Sequence, residues 1–260
     1  MKISPTVVPV RKVEIGGGQP CICVPVVGKD ADEIIKQTKE LCRKKPDLIE
    51  WRADFFQEIG DPEKVLDVVH QMRGIVGEIP LLFTIRSEKE GGQPIPLTDG
   101  DKIRLMKRVC QTRQVDLIDH ELRDERNIPV IRNVSKAYGI RLILSFHDFD
   151  QTPAKEVLVE KILKAGEFGA DIAKVAVMPS TFKDVIVLME ATEEARHHVR
   201  IPLITMSMGG LGTITRLAGW TYGSAVTFAA GSRSSAPGQM PVEEVQNLLP
   251  VIQKYTRGED

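Results

Sequence analysis

The chain of 260 residues is 42% hydrophobic, enough for one large globular domain or two small ones. Thirty-five basic residues against thirty-six acidic ones leave a formal charge of −1, which argues against a nucleic-acid binder held by a broad basic surface. No apolar run approaches the roughly 18 residues of a membrane span, and residues 1–10 lack the basic, apolar and cleavage-site order of a signal peptide. The four cysteines (Cys21, Cys23, Cys42, Cys110) form no Cys-x-x-Cys pair, so neither a disulfide frame nor a zinc ribbon is indicated. These bounds predict a cytoplasmic protein with no membrane or nucleic-acid partner.

In chain order, two short apolar alternations come first, at residues 7–10 and 13–15, followed by Gly16-Gly17-Gly18. They predict a β-hairpin. Apolar runs rich in Val, Ile, Phe or Thr then predict eight strands, at 22–27, 48–56, 80–87, 117–122, 141–149, 172–178, 202–208 and 225–229. Amphipathic segments predict helices at 31–44, 62–74, 100–112, 125–138, 153–167, 182–196 and 241–255, with a shorter one at 214–220. Eight strand–helix units in this length match a (β/α)8 TIM barrel, with the hairpin capping its N-terminal mouth. A doubly wound open sheet competes, but rarely needs eight regular units in such a span. No linker, repeat or low-complexity tract divides the chain, so residues 1–260 are expected to form one catalytic barrel.

Barrel strands alternate between the helix-facing and the interior side. In the second predicted strand Ile49, Trp51, Ala53 and Phe55 suit helix packing, while Leu48, Glu50, Arg52 and Asp54 share the other face. Leu82, Thr84 and Arg86 follow the same parity, as do Asp119 with Glu121, and Ile143 with Ser145 and His147. His120 has the opposite parity and is expected to be a structural core group. Lys174 stands alone in an otherwise apolar strand, and lysine is almost never fully buried unless paired. Ionisable side chains on the interior side of five strands predict a polar site at the C-terminal mouth.

Desolvation disfavours an ammonium, so a lysine in an apolar strand can become a neutral amine that attacks a ketone or aldehyde. The resulting protonated imine acidifies the neighbouring carbon–hydrogen bond. His147 can take that proton and return it to a leaving group, while inward arginines can hold a carboxylate or phosphate. A metal site would draw on Asp119, Glu121, His147 and Asp148, but alternation turns Asp148 away from His147 and no His-x-His or His-Glu-x-x-His pattern occurs. His197-His198 is read as a solvated pair on a helix. Glycine loops at 209–212 and 231–235 leave a phosphate-binding aldolase in play. A class I aldolase using the same lysine, and a barrel that only binds a small acid, are the remaining alternatives.

Six segments in order resemble the type I 3-dehydroquinate dehydratases of the shikimate pathway. They are Glu50-Trp51-Arg52-Ala53-Asp54; residues 83–92, ending Glu90-Gly91-Gly92; Ser145-Phe146-His147-Asp148-Phe149; Ala170-Asp171-Ile172-Ala173-Lys174; Thr205-Met206-Ser207-Met208; and Ser235-Ala236-Pro237-Gly238-Gln239. The resemblance implies that Lys174 forms a Schiff base with the C3 ketone of 3-dehydroquinate. It implies that His147 removes the C2 proton and protonates the departing C1 hydroxyl, a syn elimination, and that Glu90 orients His147. Arg216 would hold the substrate carboxylate, and Glu50, Arg52 and Arg86 the ring hydroxyls. Met206, Met208 and Phe228 would form an apolar wall, and Ser235, Ala236 and Gln239 a closing loop. The family also implies no cofactor or metal, and a homodimer. Parity and resemblance agree on Glu50, Arg52, Arg86, His147 and Lys174. Glu90, Arg216 and Gln239 rest on resemblance alone. Pro25 stands where some relatives carry a hydroxyl and is given no binding role; the 209–212 loop lacks the long polar side chains of some members.

Overall fold

The computed structural model describes residues 6–257 and realises the alternation of strand and helix unit by unit. A hairpin of β1 (Val8–Val10) and β2 (Val13–Ile15) comes first. The units that follow are β3 (Cys21–Val26) with α1 (Ala31–Lys44), β4 (Leu48–Arg52) with α2 (Pro62–Val76), β5 (Leu81–Thr84) with α3 (Asp99–Thr112), and β6 (Leu117–Glu121) with α4 (Ile128–Tyr138). Then come β7 (Arg141–Asp148) with α5 (Lys155–Glu167), β8 (Ile172–Val177) with α6 (Phe182–Ala195), β9 (Leu203–Ser207) with α7 (Thr213–Tyr222), and β10 (Val226–Phe228) with α8 (Val242–Arg257). The strands β3 to β10 are all parallel, in the order β10-β3-β4-β5-β6-β7-β8-β9. A bridge between Leu203 and Ser224 joins the two ends, and the Ala225 N–H donates to the Leu203 carbonyl at 2.6 Å. The sheet is thereby a (β/α)8 barrel.

Local chemistry sets where the elements begin and end. Asp30 and Asp61 cap α1 and α2 by accepting the Glu33 and Glu63 N–H groups, and Thr98 and Thr181 form capping boxes with Asp101 and Asp184. The helix predicted from residue 125 begins at Ile128, after turns in which the Asp124 and Asn127 N–H groups donate to the Glu121 and Asp124 carbonyls. The strand predicted through 56 stops at Arg52, where residues Ala53–Phe55 tighten into a 3-10 turn. The last strand is trimmed to Val226–Phe228.

The apolar residues fall into two bodies. The larger lies between sheet and helices and includes Trp51 and Phe83, whose rings pack edge to face at 5.4 Å. The smaller fills the lower barrel with Cys23, Leu48, Leu82, Leu117, Ile143, Ile172, Ile204 and Val226, and takes in Val8, Val10 and Ile15 of the hairpin. The hairpin is pinned there by Arg11, whose Nε donates to Asp116 at 2.6 Å and whose Nη1 reaches Glu78 at 3.3 Å. Asp116 and Glu78 precede β6 and β5, so the hairpin closes the N-terminal mouth, as the sequence predicts. Among the described residues, no helix is long and apolar enough to cross a membrane.

Candidate active site

Two residues above the apolar plug, the same strands turn polar side chains inward: Glu50 on β4, Thr84 on β5, Asp119 on β6, Ser145 on β7 and Lys174 on β8. All five are buried. The next inward positions carry Arg52, Arg86, Glu121 and His147. A cavity of about 40 Å³ at the C-terminal mouth is lined by Glu50, Arg52, Arg86, Glu90, His147, Phe149, Lys174, Ala176, Met206, Met208, Phe228, Ser235, Ala236 and Gln239. Every candidate from the sequence except Arg216 is in that lining. Larger cavities of about 360 Å³ and 280 Å³ lie outside the barrel by α3 and beside the lower mouth. Size therefore does not choose the site; the convergence of charges does.

Lys174 does not meet the apolar surroundings its own strand suggests. Its Nζ stands 3.3 Å from Asp119 Oδ2, 4.0 Å from Glu50 Oε1 and 4.5 Å above the Phe228 ring. The apolar neighbours belong to β8; the carboxylates come from β4 and β6, elsewhere around the barrel. Beside it, His147 has its Nδ1 at 2.9 Å from Glu90 Oε2, and its own backbone N–H also donates to that oxygen at 3.2 Å. An oxygen accepting the backbone N–H is placed to accept the ring N–H as well. Nδ1 then carries the proton, and Nε2, on the far side of the ring, keeps its lone pair.

The electrostatics act in the same direction. Burial, and then the cations Arg86, Lys174 and Arg52, hold the imidazole well below its ordinary range. Burial raises Glu90 to about 8, with Glu121 and Asp119 adding to the rise and Arg86 and Arg123 opposing it. Both effects keep the ring neutral. Glu90 reaches its place through the 3-10 turn Glu88–Glu90 and the two glycines that follow. Gly91 has φ +79°, and a Cβ there would meet the Phe149 ring at 2.3 Å; one on Gly92 would meet the Arg86 carbonyl oxygen at 2.0 Å.

Arg86 is the hub of the upper barrel. It makes ion pairs with Asp119 at 2.7 Å, Glu121 at 3.4 Å and Glu90 at 3.5 Å, and donates to Ser145 Oγ at 2.8 Å. Arg52 forms a bidentate pair with Asp54, both contacts at 2.8 Å. Arg216, in the first turn of α7, is buried and lowered to about 10 by that burial. Its guanidinium donates to the carbonyls of Phe228 at 3.1 Å and Pro237 at 3.0 Å, while Nε makes no hydrogen bond among the described residues. Gln239 Oε1 accepts the Ser235 N–H at 2.8 Å, which folds the closing loop on itself. That loop seats on the 209–212 glycines: Gly209 N–H donates to Pro237 O, and a Cβ on Gly238 would strike Gly209 O at 2.3 Å. The Gly209 amide is thus engaged by protein and not presented to a phosphate.

The comparisons agree with this geometry. Residues 22–256 match the Type I 3-dehydroquinase family. A 3-dehydroquinate dehydratase of Geobacillus sp. (strain WCH70) is 59% identical over 255 residues, 98% of each chain. The crystal structure of 3-dehydroquinate dehydratase from Geobacillus kaustophilus HTA426 superposes with a TM-score of 0.96 at 54% identity, covering 98% of this chain and 99% of that one. The type I 3-dehydroquinate dehydratase of Clostridium difficile with covalent modified comenic acid gives 0.93 at 42% identity, over 97% and 99%. The chain belongs to the type I 3-dehydroquinase family.

As a type I 3-dehydroquinase it is a hydro-lyase. The alternation places Asp119, Glu121 and Ser145 on the interior face, with Asp119 and Glu121 considered only for a rival metal site; Asp119 and Ser145 turn out to bind the arginine and lysine selected for the substrate site. Asp54, beyond the end of its strand, was placed inward by an alternation that stops at Arg52, and the 3-10 turn nevertheless folds it back onto Arg52. Asp148 turns away from His147, as alternation requires, and accepts the Asp150 and Gln151 N–H groups. His197-His198 lies in the turn after α6 and not on the helix, with His197 3.0 Å from Glu193. His120 is buried on the outer side of β6, with Nε2 3.5 Å from Asp124.

Proposed function

We propose that the enzyme converts 3-dehydroquinate to 3-dehydroshikimate by syn elimination of water through a Schiff base on Lys174, the third step of chorismate biosynthesis. The observation that carries this is that Lys174 and His147 are buried in the lining of one cavity, with His147 Nδ1 2.9 Å from Glu90, which supports a neutral ring whose Nε2 lone pair faces the substrate. Lys174 Nζ attacks the C3 ketone, whose oxygen leaves as water, and the nitrogen becomes a protonated imine. His147 Nε2 takes the C2 proton, and the electron pair flows into the imine to give an enamine. Its return expels the C1 hydroxyl, which takes the proton from His147 and departs as water. Hydrolysis of the conjugated imine releases 3-dehydroshikimate and restores the lysine.

Glu90 holds the imidazole in the Nδ1–H form through the step. Arg216 takes the substrate carboxylate; a buried guanidinium whose partners are carbonyl oxygens, with Nε unbonded, supports that assignment. Glu50, Arg52 and Arg86 meet the ring hydroxyls. Met206, Met208 and Phe228 form the apolar wall. Ser235, Ala236 and Gln239 close the mouth and exclude water from the imine. No metal or cofactor takes part in this scheme. The sequence bounds support one catalytic barrel for residues 1–260 acting in the cytoplasm, and the family resemblance adds a homodimer, which sedimentation of the purified enzyme measures directly.

Borohydride added with 3-dehydroquinate should leave a reduced adduct on Lys174 in the mass spectrum, and Lys174→Ala should lose nearly all formation of the ultraviolet-absorbing enone. Chelator should leave the rate unchanged. An unmodified Lys174 with full activity sinks the scheme, and retro-aldol products in place of the enone would turn it toward an aldolase.

A further inference from the structure

Asp119 is buried in the middle of β6 and has no part in the scheme above. It does not line the cavity; it lies beneath the floor, against the groups that do. Its Oδ2 is 3.3 Å from Lys174 Nζ, and its Oδ1 is 2.7 Å from Arg86 Nη2 and accepts the Ser145 hydroxyl at 2.6 Å. Burial alone would raise this carboxyl, but Arg86, Lys174 and the Ser145 hydrogen bond prevail and hold it at about 2. It is a fixed anion, oriented from two further directions so that one oxygen is left for the lysine.

In the proposed reaction a positive charge faces this oxygen before and after the enamine, when the imine's electron demand is used. An ammonium and a ketone become a protonated imine and water: the carbon–oxygen double bond is exchanged for a carbon–nitrogen one, and one positive charge stays on Nζ. The imine must keep that charge, because a neutral imine is a poor sink for the electron pair released when His147 takes the C2 proton. Glu50 is the other carboxylate within reach, but it stands farther off, at 4.0 Å, accepts the Thr84 hydroxyl at 2.8 Å and lines the cavity. We propose that Asp119 is the permanent counterion of the Lys174 imine, a positioning residue that acts through Lys174 and keeps the imine protonated through the elimination. The proposal rests on the Schiff-base reading.

The charged and titratable groups that pair with Nζ or share its cavity are Cys23 from β3, Glu50 and Arg52 from β4, Arg86 and Glu90 after β5, Asp119 from β6 and His147 from β7. Asp119→Asn removes one charge from this set and keeps the shape and an acceptor for Ser145. Loss of an opposite charge within about 4–6 Å shifts a titrating cation by about 1–3 units, and the sign is downward, so the alkaline limb of kcat should move to lower pH by that amount. Borohydride trapping of the variant should fall at about pH 9 and return at about pH 6. A purely structural role would reduce Tm or the active fraction equally at every pH, and a folded Asp119→Asn enzyme with an unmoved limb overturns the proposal. The wild-type enzyme provides a reading that needs no variant: with C3-labelled ligand bound, the ¹³C shift of the imine should stay constant between about pH 6 and 9, and a titration inside that window overturns it as well. If the wild type gives no borohydride adduct at any pH, the Schiff-base reading fails; an adduct in the wild type with an unmoved limb in the variant removes only the counterion.

Discussion

The lower and upper halves of the barrel interior are built from the same strands, two residues apart, and are chemically opposite. Leu48, Leu82, Leu117, Ile143 and Ile172 form an apolar plug sealed by Val8, Val10 and Ile15. About 7 Å higher along the pleat, those strands carry Glu50, Thr84, Asp119, Ser145 and Lys174, all buried. The plug is packed from apolar side chains. The upper half buries charges, which is costly unless each is paired, and it pairs them: Arg52 with Asp54, Arg86 with Asp119, Lys174 with Asp119 and Glu50. The two halves divide the labour. A closed, rigid lower half lets the upper half hold reactive groups in fixed positions away from water, where burial and neighbours can set their protonation.

The strongest blow to that division is His147→Ala. Loss of the proton-transfer group should cost roughly 10²–10⁴-fold in kcat with little change in Tm, since the ring faces a cavity. The wild-type pH profile tests the same residue. A base works only as the neutral ring, and burial with Arg86, Lys174 and Arg52 lowers its affinity for the proton. The ring therefore stays neutral to lower pH, and activity is lost as pH falls through the lowered value. The acid limb of kcat/KM should lie below the ordinary imidazole value of about 6.5. A limb at or above that value would mean that the upper half does not set protonation as described.

Much of this contrast is legible in the residues themselves. Period-two alternation places Glu50, Arg52, Arg86, His147 and Lys174 on one face because the pleat leaves no choice once the strand is recognised. Glu90, Arg216 and Gln239 sit in a 3-10 turn, the first turn of α7 and a loop, where no period applies, so only resemblance to a family could point to them. Lys174 shows a different limit. Periodicity reports a residue's own strand, which is apolar, whereas its carboxylate partners arrive from β4 and β6 by closure of the barrel. Asp119 had the right parity but no visible partner, and its part emerges only once Arg86, Ser145 and Lys174 are seen around it. The hairpin's place at the lower mouth followed from its short apolar alternation before the first unit; the arginine that pins it there could not be foreseen.

Leu117→Ala probes the lower half, and its signature should be the reverse of that of His147→Ala. Truncating a fully buried leucine costs about 2–5 kcal/mol, read as a lower urea midpoint or Tm, and the kcat of the folded fraction should stay within about twofold of wild type. A loss of kcat comparable to that of His147→Ala would show that the plug does more than support, and the contrast between the halves would not survive.

Arg11 offers the finest test, because it sets local strain against docking at the hairpin tip. It is a non-glycine residue at φ +53°, a conformation that costs an L-residue roughly 1–2 kcal/mol. Its return is the pair of contacts to Asp116 and Glu78, and partly exposed pairs are worth about 0.2–1 kcal/mol each. Arg11→Ala keeps the strain and loses both contacts, so it should destabilise by about 1 kcal/mol. Arg11→Gly also loses the contacts but relieves the strain, partly offset by the roughly 0.5–1 kcal/mol of extra chain freedom that glycine brings to the unfolded state. The order of urea midpoints should therefore be wild type, then glycine, then alanine, with kcat the same in all three because the hairpin lies at the mouth opposite the site. An alanine variant as stable as wild type would mean that the hairpin is held by Val8, Val10 and Ile15 alone, and that the lower half needs no charge at all.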